Sequence, residues 1–425
     1  MRVLVTGATG LIGAAIVDGL RARGDAVIAA VRDPGAARSR WPGIDTVAVD
    51  FAVDLSPVAW QPRLAGADAV VNAVGTFVAH GKDSFEAVHA VAPRALFAAC
   101  EAAGVARVIQ ISALGADAGA DVAFQRSKAL ADEALLASPL TATVLRPSLV
   151  YAPDGASSAM FLAWSTLPWL PLPGDGRQRI QPVVLDDVVA AVLAALDAEH
   201  PPRCVDVVGP RATTLRDYLA TLRRALGLPP ARVLPVPRPL LRAAVALSPP
   251  RLASPDALAM LDRGNHADPS PLTALLGRPP QPVEKAIPPG QAASLRRAAR
   301  LRWTLPPLRW TVALVWLWTA AVSFGLYPPA DSLALLARVD LHGFPALVAL
   351  YGAAALDAGI GLALLRRRRA RALYRLQIAV ILAYTVLVTV FLPEFWLHPY
   401  GPISKNLPLL AALLVLHELD TVEAR

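Results

Sequence analysis

The amino-acid sequence predicts a doubly wound parallel α/β sheet with a small irregular lobe, followed by an all-α domain of four transmembrane helices. Short apolar segments alternate with helical segments over the first half of the chain, as in parallel sheets covered by helices on both faces. Hydrophobic residues make up 55% of the 425 residues and charged residues only 17%, which is too apolar for a wholly soluble chain. Long apolar runs are concentrated in the C-terminal region.

Six short apolar segments have the pattern of strands buried on both faces. They are Val3–Thr6, Ala26–Val31, Thr46–Val49, Ala69–Asn72, Arg107–Ser112 and Thr141–Arg146. Helical patterns occupy several of the intervals, such as Gly13–Arg23, Ser84–Gly104 and Phe124–Ala137. This alternation predicts a parallel sheet whose crossover connections are helices.

Composition divides the chain into domains. We expect residues 1–292 to form the first domain, in which the proline-richer residues 151–292 make an irregular lobe at the carboxyl edge of the sheet. Seven prolines and several arginines between residues 277 and 307 indicate a stiff linker. Residues 308–425 are expected to form the transmembrane domain.

Four apolar runs carry the membrane prediction. They are Trp310–Tyr327, Phe344–Leu365, Leu376–Leu392 and the shorter Asn406–Leu416. A membrane-spanning helix needs about 20 apolar residues, with a range of about 17–25, so the first three are long enough and the fourth is marginal. Lys405 and Glu418 could lengthen the fourth by extending their charged ends to the interface.

Arginine is distributed unevenly between the ends of these runs. The arginines next to the first run and between the second and third are Arg296, Arg297, Arg300, Arg302, Arg309, Arg366–Arg369, Arg371 and Arg375. The two other loops hold only Arg338 and Lys405. The positive-inside rule then predicts a protein of the cytoplasmic membrane with four spans, whose first domain and C-terminus face the cytosol. A membrane surface therefore explains the net charge of +8 better than nucleic acid does.

Met1 and Arg2 lead directly into the first strand, so no signal peptide is expected. Of the two cysteines, Cys100 lies in an alanine-rich helical pattern and is expected to be a buried thiol. The seven histidines are scattered without ligand spacing, so no metal site is expected.

The strongest motif is the segment Val3–Gly13, where glycines follow a strand and open a helix. Gly7 permits a tight turn, Gly10 lets the backbone approach a pyrophosphate, and Gly13 lets the helix pack on the strand. Backbone amides at a helix N-terminus favour phosphate binding, and a simple tight turn is the weaker alternative. The predicted phosphate-binding residues are Gly7, Thr9, Gly10, Leu11, Ile12 and Gly13.

The spacing of these glycines resembles that of the extended and atypical short-chain dehydrogenase/reductase families, which have a Rossmann domain that binds NAD(P). Further matches occur in order at Asp50-Phe51, Asn72–Gly75, Ile111–Ala113, Arg146–Tyr151 and Gln181–Val188, over about the first half of the chain. The resemblance implies that Asp50 and Phe51 meet the adenine. It also implies that Ala73, Val74, Gly75 and Pro147 line the cofactor.

Arg32 ends the second predicted strand, where NAD-specific proteins usually carry an acid for the ribose hydroxyls. A guanidinium there could bind the 2′-phosphate of NADP, whereas the alternative is a surface arginine paired with Asp33. We therefore expect NADP(H) to be preferred, with NAD(H) still possible as the cofactor.

The catalytic motif departs from the family. Its members use Tyr-x-x-x-Lys, in which the tyrosine hydroxyl is the acid or base, and the corresponding positions here are Phe124 and Lys128. Phe124 cannot exchange a proton. Lys128 is expected to hold the nicotinamide ribose, the alternative being an exposed helical lysine, and Ser112 matches the family's substrate-orienting position.

Atypical members without the tyrosine include the nucleotide-binding accessory subunit of respiratory complex I and NmrA-like redox sensors, and the chain is similar to bacterial relatives of the former. Two functions follow as expectations. One is a reductase of a lipid-soluble substrate such as a quinone. The other is a non-catalytic nucleotide-binding protein that assembles with, or senses, a respiratory complex. A sugar-nucleotide epimerase also needs the missing tyrosine and is the weakest alternative.

The segment Leu397–Pro408 resembles the last loop and span of DoxX-like four-helix membrane domains, which are often linked to quinone or thiol redox systems. The resemblance covers about residue 310 to the end of the chain. Asp357 lies deep in the second predicted span, where an ionisable side chain is costly. It is a candidate functional site, with a protonated or hydrogen-bonded packing residue as the alternative.

Overall fold

The computed structural model describes residues 1–76, 84–247, 255–366 and 370–420. The chain folds into two compact units, Met1–Arg296 and Arg297–Arg425. We refer to them as the first unit and the second unit.

Seven parallel strands form the central sheet of the first unit. They are β1 (Arg2–Thr6), β2 (Ala26–Val31), β3 (Asp45–Ala48), β4 (Ala69–Asn72), β5 (Arg107–Ile111), β6 (Ala142–Pro147) and β7 (Cys204–Val207). Their spatial order is β7-β6-β5-β4-β1-β2-β3. The strand order therefore reverses between β1 and β4, and ligands of such sheets bind at the carboxyl ends of the strands beside this point.

The predicted doubly wound sheet is confirmed, and its six predicted strands agree with β1–β6 to within one residue at each end. Strand β7 had been assigned to the irregular lobe. It pairs in parallel with β6, with Val205 opposite Leu145, and forms one edge of the sheet. Pro201 and Pro202 precede it closely, which is why the segment has the local character of a loop.

Helices cover both faces of the sheet. Those of the first unit that the structure describes are α1 (Leu11–Ala22), α2 (Pro34–Arg40), α3 (Pro57–Trp60), α4 (Ala92–Ala102), α5 (Ala123–Ala137), α6 (Ala156–Ser165), α7 (Leu185–Asp197), α8 (Leu215–Ala225), α9 (Arg238–Leu247), α10 (Pro255–Arg263) and α11 (Ser270–Leu276). Val3 and Val5 of β1 pack into one core and Leu4 into the other, because side chains alternate along a strand. A π-helical turn, Ala87–Val91, directly precedes α4.

Short strands pair outside the central sheet. Val183–Val184 pairs with Val150–Tyr151, Thr213–Thr214 with Arg179–Ile180, and Arg232–Val236 with Trp169–Pro173. Together with α6 and α8–α10 they lie in the segment expected to form the lobe, whereas Leu272 of α11 packs into the core of the central sheet.

The segment predicted to be a linker is largely helical. Helix α12 (Pro289–Ala321) begins within this segment and continues through Pro306 and Pro307. Pro289 stands in the first turn, where a missing amide hydrogen costs nothing. Alanine, arginine and leucine dominate the following residues up to Arg302, and these are strong helix formers.

The other helices of the second unit are α13 (Pro329–Ala337), α14 (Gly343–Leu365), α15 (Ala370–Phe391) and α16 (Asn406–Leu419). Among the described residues, three segments are long and apolar enough to cross a membrane, namely Pro289–Leu326, Gly343–Leu365 and Arg371–Phe391, while α16 is shorter. Trp316, Ile360, Ile381 and Leu413 share one core, so all four helices contribute to it. Of the predicted arginine turn, residues 367–369 lie outside the described residues.

Candidate functional site

The glycine loop joins β1 to α1 at the carboxyl edge of the sheet. Gly7 has a φ of +64°, and a Cβ atom there would lie 2.8 Å from the Ala73 oxygen. A Cβ atom on Gly13 would lie 2.2 Å from the Gly7 oxygen, so α1 can pack on the loop only with glycine at this position. The Gly10 amide donates to the Gly7 oxygen at 2.9 Å and closes the turn. The exposed residues of the loop are Thr9, Gly10 and Leu11, and Ile12 is half-buried.

This geometry fits a dinucleotide pyrophosphate. The positive end of α1 opens on an exposed surface, and the glycines leave the space that side chains would fill.

A row of three buried side chains ties the strands together beneath the loop. The Thr6 hydroxyl donates to Asn72 Oδ1 at 2.6 Å, and Asn72 Nδ2 donates to Gln110 Oε1 at 2.7 Å. These residues belong to β1, β4 and β5, the three strands around the switch point. Asn72 Oδ1 also accepts from the Val74 amide at 3.4 Å. The row therefore holds the start of the loop that follows β4.

Arg32 follows β2 with an exposed side chain. Its neighbour Asp33 caps α2 by accepting from the amides of Gly35 at 2.9 Å and Ala36 at 3.1 Å. The Asp33 carboxylate therefore has a structural role of its own at this edge.

The two residues assigned to the adenine differ in exposure. Asp50 is half-buried and accepts from the Ala52 amide at 3.1 Å. Phe51 is only 5% exposed, and its ring packs edge-on against Trp60 with centroids 5.2 Å apart. A ring buried in this way offers little surface to an adenine. The contact of Asp50 and Phe51 with the adenine stays a prediction.

Lys128 lies under the loop that follows β4. Its side chain is 4% exposed, and its Nζ donates to the oxygens of Val74 at 3.0 Å and Ile111 at 3.1 Å. A Cβ atom on Gly75 would lie 3.2 Å from this Nζ, so glycine leaves space beside the amine. Burial lowers the pKa of Lys128 to about 8, and the charge of Asp132 opposes the shift. The alternative of an exposed helical lysine is thus wrong.

Ser112 directly follows β5, and its hydroxyl is oriented by the protein itself. Its Oγ donates to Asp132 Oδ2 at 2.7 Å, and the same oxygen accepts from Arg146 Nε at 3.1 Å. Asp132 is fully buried, and this burial raises the pKa of its carboxyl while Ser112 and Arg146 oppose the shift. The Ser112 hydrogen is therefore donated inward, and only its oxygen lone pairs could serve a ligand. Pro147, also assigned to the cofactor, is buried at the end of β6 and accepts from the Leu114 amide at 2.9 Å.

Phe124 lies in an aromatic cluster. It is 5% exposed and packs edge-on against His89, with centroids 5.4 Å apart, and against Phe85, at 6.3 Å. His89 Nε2 accepts from the Thr76 amide at 3.0 Å, which leaves Nδ1 to donate to Ser127 Oγ at 2.9 Å. Burial and the nearby Lys128 charge lower the pKa of His89 to about 3, so the ring is neutral.

Two side chains therefore hold the loop that follows β4. Lys128 donates to the Val74 oxygen, and His89 accepts from the Thr76 amide. Sequence reasoning missed both His89 and Asp132. Asp132 stands four residues after Lys128 on α5, a spacing that places the two on one face of the helix and could have revealed it. His89 is a single histidine in an alanine-rich helix and gave no such signal.

A cavity of about 340 Å³ opens beside the N-terminal end of α5. Its lining includes Leu114, Gly115, Gln125, Arg146, Asp206 and His266. Gln125 is buried, and its Oε1 has no hydrogen-bond partner among the described residues. Gln125, which lines the cavity, directly follows Phe124 in the sequence, and the cavity has room for a small polar group.

Within the described residues no cluster of three or more His, Cys, Asp or Glu side chains could hold a metal ion.

Both units match known protein families. Residues 7–161 match the NAD(P)H-binding family, and residues 313–414 match the DoxX-like family. The chain is 32% identical over 266 residues to the 3-diazoavenalumate denitrifying reductase of a Streptomyces species, which covers 55% of this chain and 84% of that protein. It is 30% identical over 226 residues to the 2-alkyl-3-oxoalkanoate reductase of Stenotrophomonas maltophilia, covering 47% of this chain and 67% of that protein.

A respiratory protein is also similar. Over 228 residues the chain is 32% identical to the mitochondrial NADH dehydrogenase [ubiquinone] 1 alpha subcomplex subunit 9 of Arabidopsis thaliana. The match covers 50% of this chain and 55% of the length of that subunit.

Solved structures share the fold. An NADPH-dependent quinone oxidoreductase from Escherichia coli superposes with a TM-score of 0.55 at 21% identity, over 67% of this chain and 98% of that one. A nucleoside-diphosphate-sugar epimerase from Staphylococcus aureus gives a TM-score of 0.56 at 18% identity, over 68% of this chain and 99% of that one. At these identities the superpositions establish the Rossmann fold and carry no statement about the reaction.

Proposed function

Because the chain belongs to the family of NAD(P)H-binding reductases and carries a DoxX-like domain, we propose that it is a membrane-anchored reductase of a lipid-soluble acceptor such as a quinone. The observation that carries the proposal is the contrast between Phe124 and Lys128. Lys128 donates to the loop that follows β4, whereas the buried phenyl ring of Phe124 occupies the position of the family's proton donor.

The chemistry of the acceptor explains how a reductase can work without that donor. When bound, the nicotinamide supplies a hydride to the acceptor. A ketone then becomes an alkoxide, a strong base that needs a proton as it forms, which is the work of a general acid. A quinone becomes an aromatic oxyanion, whose charge is delocalised as in tyrosinate, with a pKa near that of tyrosine at about 10. Water can protonate such an anion after the transfer, so Phe124 is tolerated.

The residues of the chain have separate tasks in this proposal. The glycine loop holds the pyrophosphate, and the Lys128 ammonium uses its third hydrogen for the ribose hydroxyls, since two hydrogens are donated to Val74 and Ile111. Arg32 would bind the 2′-phosphate of NADP as a planar fork, which makes NADPH the proposed cofactor and NADH a weaker one. Phe124 and Phe85 exclude water from the reacting face.

The apolar helices of the second unit would anchor the protein where a lipid-soluble acceptor dissolves. From the arginine distribution we propose four spans in the cytoplasmic membrane, with the first unit and the C-terminus in the cytosol. Reporters fused to the C-terminus and inserted in the loop 393–405 should then appear on opposite sides. Finding both in the cytosol would reject the four-span arrangement.

The decisive experiment is purification of the whole protein in detergent, followed by identification of any co-purified nucleotide. Oxidation of NADPH is then followed with a short-chain quinone and with a simple ketone of similar size. We expect oxidation with the quinone and little with the ketone. Tight nucleotide binding without oxidation by any quinone would reject the reductase.

A second candidate function is a non-catalytic nucleotide-binding protein that assembles with, or senses, a respiratory complex. One observation favours it. The Ser112 hydrogen is donated to Asp132, so the side chain that orients substrate in the family is engaged within the protein. Similarity to the Arabidopsis respiratory subunit agrees with this candidate. Co-purification with respiratory complex subunits, together with nucleotide that does not turn over, would support it over the reductase.

A further inference from the structure

Asp357 is an acidic side chain in the middle of the apolar helix α14. It is 4% exposed, and its Oδ1 is buried with no hydrogen-bond partner among the described residues. The described part of the chain also holds no ion pair to it. An ionised carboxylate without a partner is costly in such surroundings, whereas the neutral acid costs far less. The position therefore favours a bound proton.

The helices packed around Asp357 bring few charged groups towards it. Asp357 shares one face of α14 with Ala354 and Gly361, and a Cβ atom on Gly361 would lie 2.7 Å from Leu317 of α12. The buried residues of α12 beyond Arg309 are Val312, Ala313, Trp316 and Ala320, and those of α16 are Leu413 and Leu416. The titratable group of α15 within electrostatic range is Tyr384.

A series of buried polar side chains leads from one end of the bundle towards this level. At that end Arg309 pairs with Asp420 at 3.3 Å, and the Tyr374 hydroxyl donates to Asp420 at 2.5 Å. One turn further along α15, Gln377 Oε1 accepts from Trp316 Nε1 at 2.7 Å. Both Tyr374 and Gln377 are fully buried.

The buried polar groups enter the bundle from that end. Tyr374 and Gln377 lie one turn apart on α15, which carries the series about 5 Å further into the bundle, to Trp316. Polar side chains inside an apolar bundle are expensive, and in membrane proteins such residues mark the paths of ions and protons.

We propose that Asp357 is a proton-binding site inside the second unit, filled from the end of the bundle that carries Arg309 and Asp420. The carboxylate takes a proton from hydronium at that end and becomes the neutral acid, and the reverse step returns the proton to water. Tyr374 and Gln377 provide the hydroxyl and amide groups along the route. The proposal is independent of the reductase activity, because it concerns the second unit alone.

The test uses the whole protein in detergent micelles and a hydrophobic carbodiimide, which reacts with protonated carboxyl groups in apolar surroundings. Modification is located by peptide mass spectrometry at about pH 6 and about pH 9. The protonated fraction of a carboxyl falls about tenfold per pH unit above its pKa, so we expect modification of Asp357 at least tenfold faster at the lower pH. Asp357→Asn should abolish it, and the matched control Glu418→Gln, at an exposed carboxyl, should leave it unchanged. No modification of Asp357 at either pH would overturn the proposal.

Infrared spectroscopy tests the route without relying on any variant at Asp357 to fold. The carbonyl band of the protonated acid should shift within minutes of transfer to D₂O, because the site exchanges its proton with water. Gln377→Leu should slow that shift about tenfold or more, and Leu409→Ala, which removes only apolar atoms from the same bundle, should not. A band that fails to shift in the unaltered protein would show a sealed packing residue and overturn the proposal.

Discussion

The glycine loop and the catalytic-motif region, which comprises Ser112, Phe124 and Lys128, lie at the same edge of the sheet, yet they match the family pattern to different degrees. In the loop, backbone contacts leave no room for a side chain, as the 2.2 Å distance from a Gly13 Cβ to the Gly7 oxygen makes plain. In the catalytic-motif region, a hydroxyl is replaced by the phenyl ring of Phe124, and the Ser112 hydrogen is donated inward. Nucleotide binding and proton transfer are therefore separable properties of this fold.

The largest expected effect restores the missing group. Phe124→Tyr should raise the reduction of simple ketones by about 10²–10⁴-fold, the usual contribution of a general acid, because it returns a hydroxyl four residues before Lys128. Steady-state oxidation of NADPH measures the change. Phe85→Tyr is the matched control, since it adds a hydroxyl to the same aromatic cluster at a different place. Rapid ketone reduction by the unaltered protein would contradict our interpretation of Phe124.

The second largest effect is expected from a substitution in the glycine loop. Gly13→Ala places a Cβ atom against the Gly7 oxygen, so α1 must move away from the loop. We expect dinucleotide affinity to fall by about 100-fold and the free energy of unfolding by about 1–3 kcal/mol, as for overpacked sites. Fluorescence titration with NADPH and thermal unfolding report the two quantities. Gly290→Ala, where no atom lies within 4 Å of the new Cβ, should lower neither the dinucleotide affinity nor the free energy of unfolding. Unaltered binding in Gly13→Ala would show that the loop does not seat the pyrophosphate.

The third effect concerns the choice between NADPH and NADH, which we assign to Arg32 after β2. Arg32→Ala should weaken NADPH binding by about ten- to a hundredfold, or about 1.5–3 kcal/mol for one charge-assisted contact, and leave NADH binding unchanged. Isothermal titration with both nucleotides measures the gap. Arg38→Ala removes an exposed arginine from α2 and serves as the control for net charge. Equal affinities for the two nucleotides in the unaltered protein would refute the preference.

The smallest effect is the pH dependence of dinucleotide affinity, which we attribute to Lys128. Burial lowers its pKa from 10.5 to about 8, so the ammonium is complete below that pH and is lost as pH rises through it. Affinity for the anionic dinucleotide should then fall about fivefold, or about 1 kcal/mol, because a neutral amine donates weaker hydrogen bonds. Titrations from about pH 7 to about pH 9.5 should show a midpoint near 8 that Lys128→Met removes and Lys285→Met keeps.

The same pKa shift has a consequence for stability. An unfolded lysine keeps its proton up to about 10.5, so the unfolded chain binds more protons than the folded one between that pH and about 8. The contribution of Lys128 to the free energy of unfolding should therefore rise with pH across this window. A flat or falling contribution, measured against Lys128→Met, would mean that its amine is not buried.

Much of the fold was readable from local patterns. Six strands follow from apolar segments such as Ala69–Asn72, because a strand buried on both faces must be apolar along its whole length. Strand β7 was missed because two prolines precede an edge segment of ordinary composition. Helix α12 was missed because Pro306 and Pro307 predict a break, whereas the helix formers before them and the apolar residues after them continue the helix.

The candidate site was predictable where a motif prescribes backbone shape and less so where side chains meet through space. The glycine loop follows from the spacing of its glycines, and the role of Lys128 follows from the resemblance to the dehydrogenase motif. His89 and Gln110 contribute through contacts between elements distant in sequence, and such contacts leave no periodic signal, whereas Asp132 could have been found from its spacing to Lys128 on α5. Phe51 shows the converse, since a motif residue assigned to the ligand has its ring in the core.

The buried row of Thr6, Asn72 and Gln110 has a kinetic consequence. It cross-links three adjacent strands, so the floor beneath the nucleotide already has one shape before any ligand arrives. A preformed surface loses little conformational entropy on association, and encounters are not delayed by a slow rearrangement. The affinity of this edge for nucleotide should accordingly depend more on the dissociation rate than on the association rate. The residence time of the ligand then sets how long the protein stays bound to it.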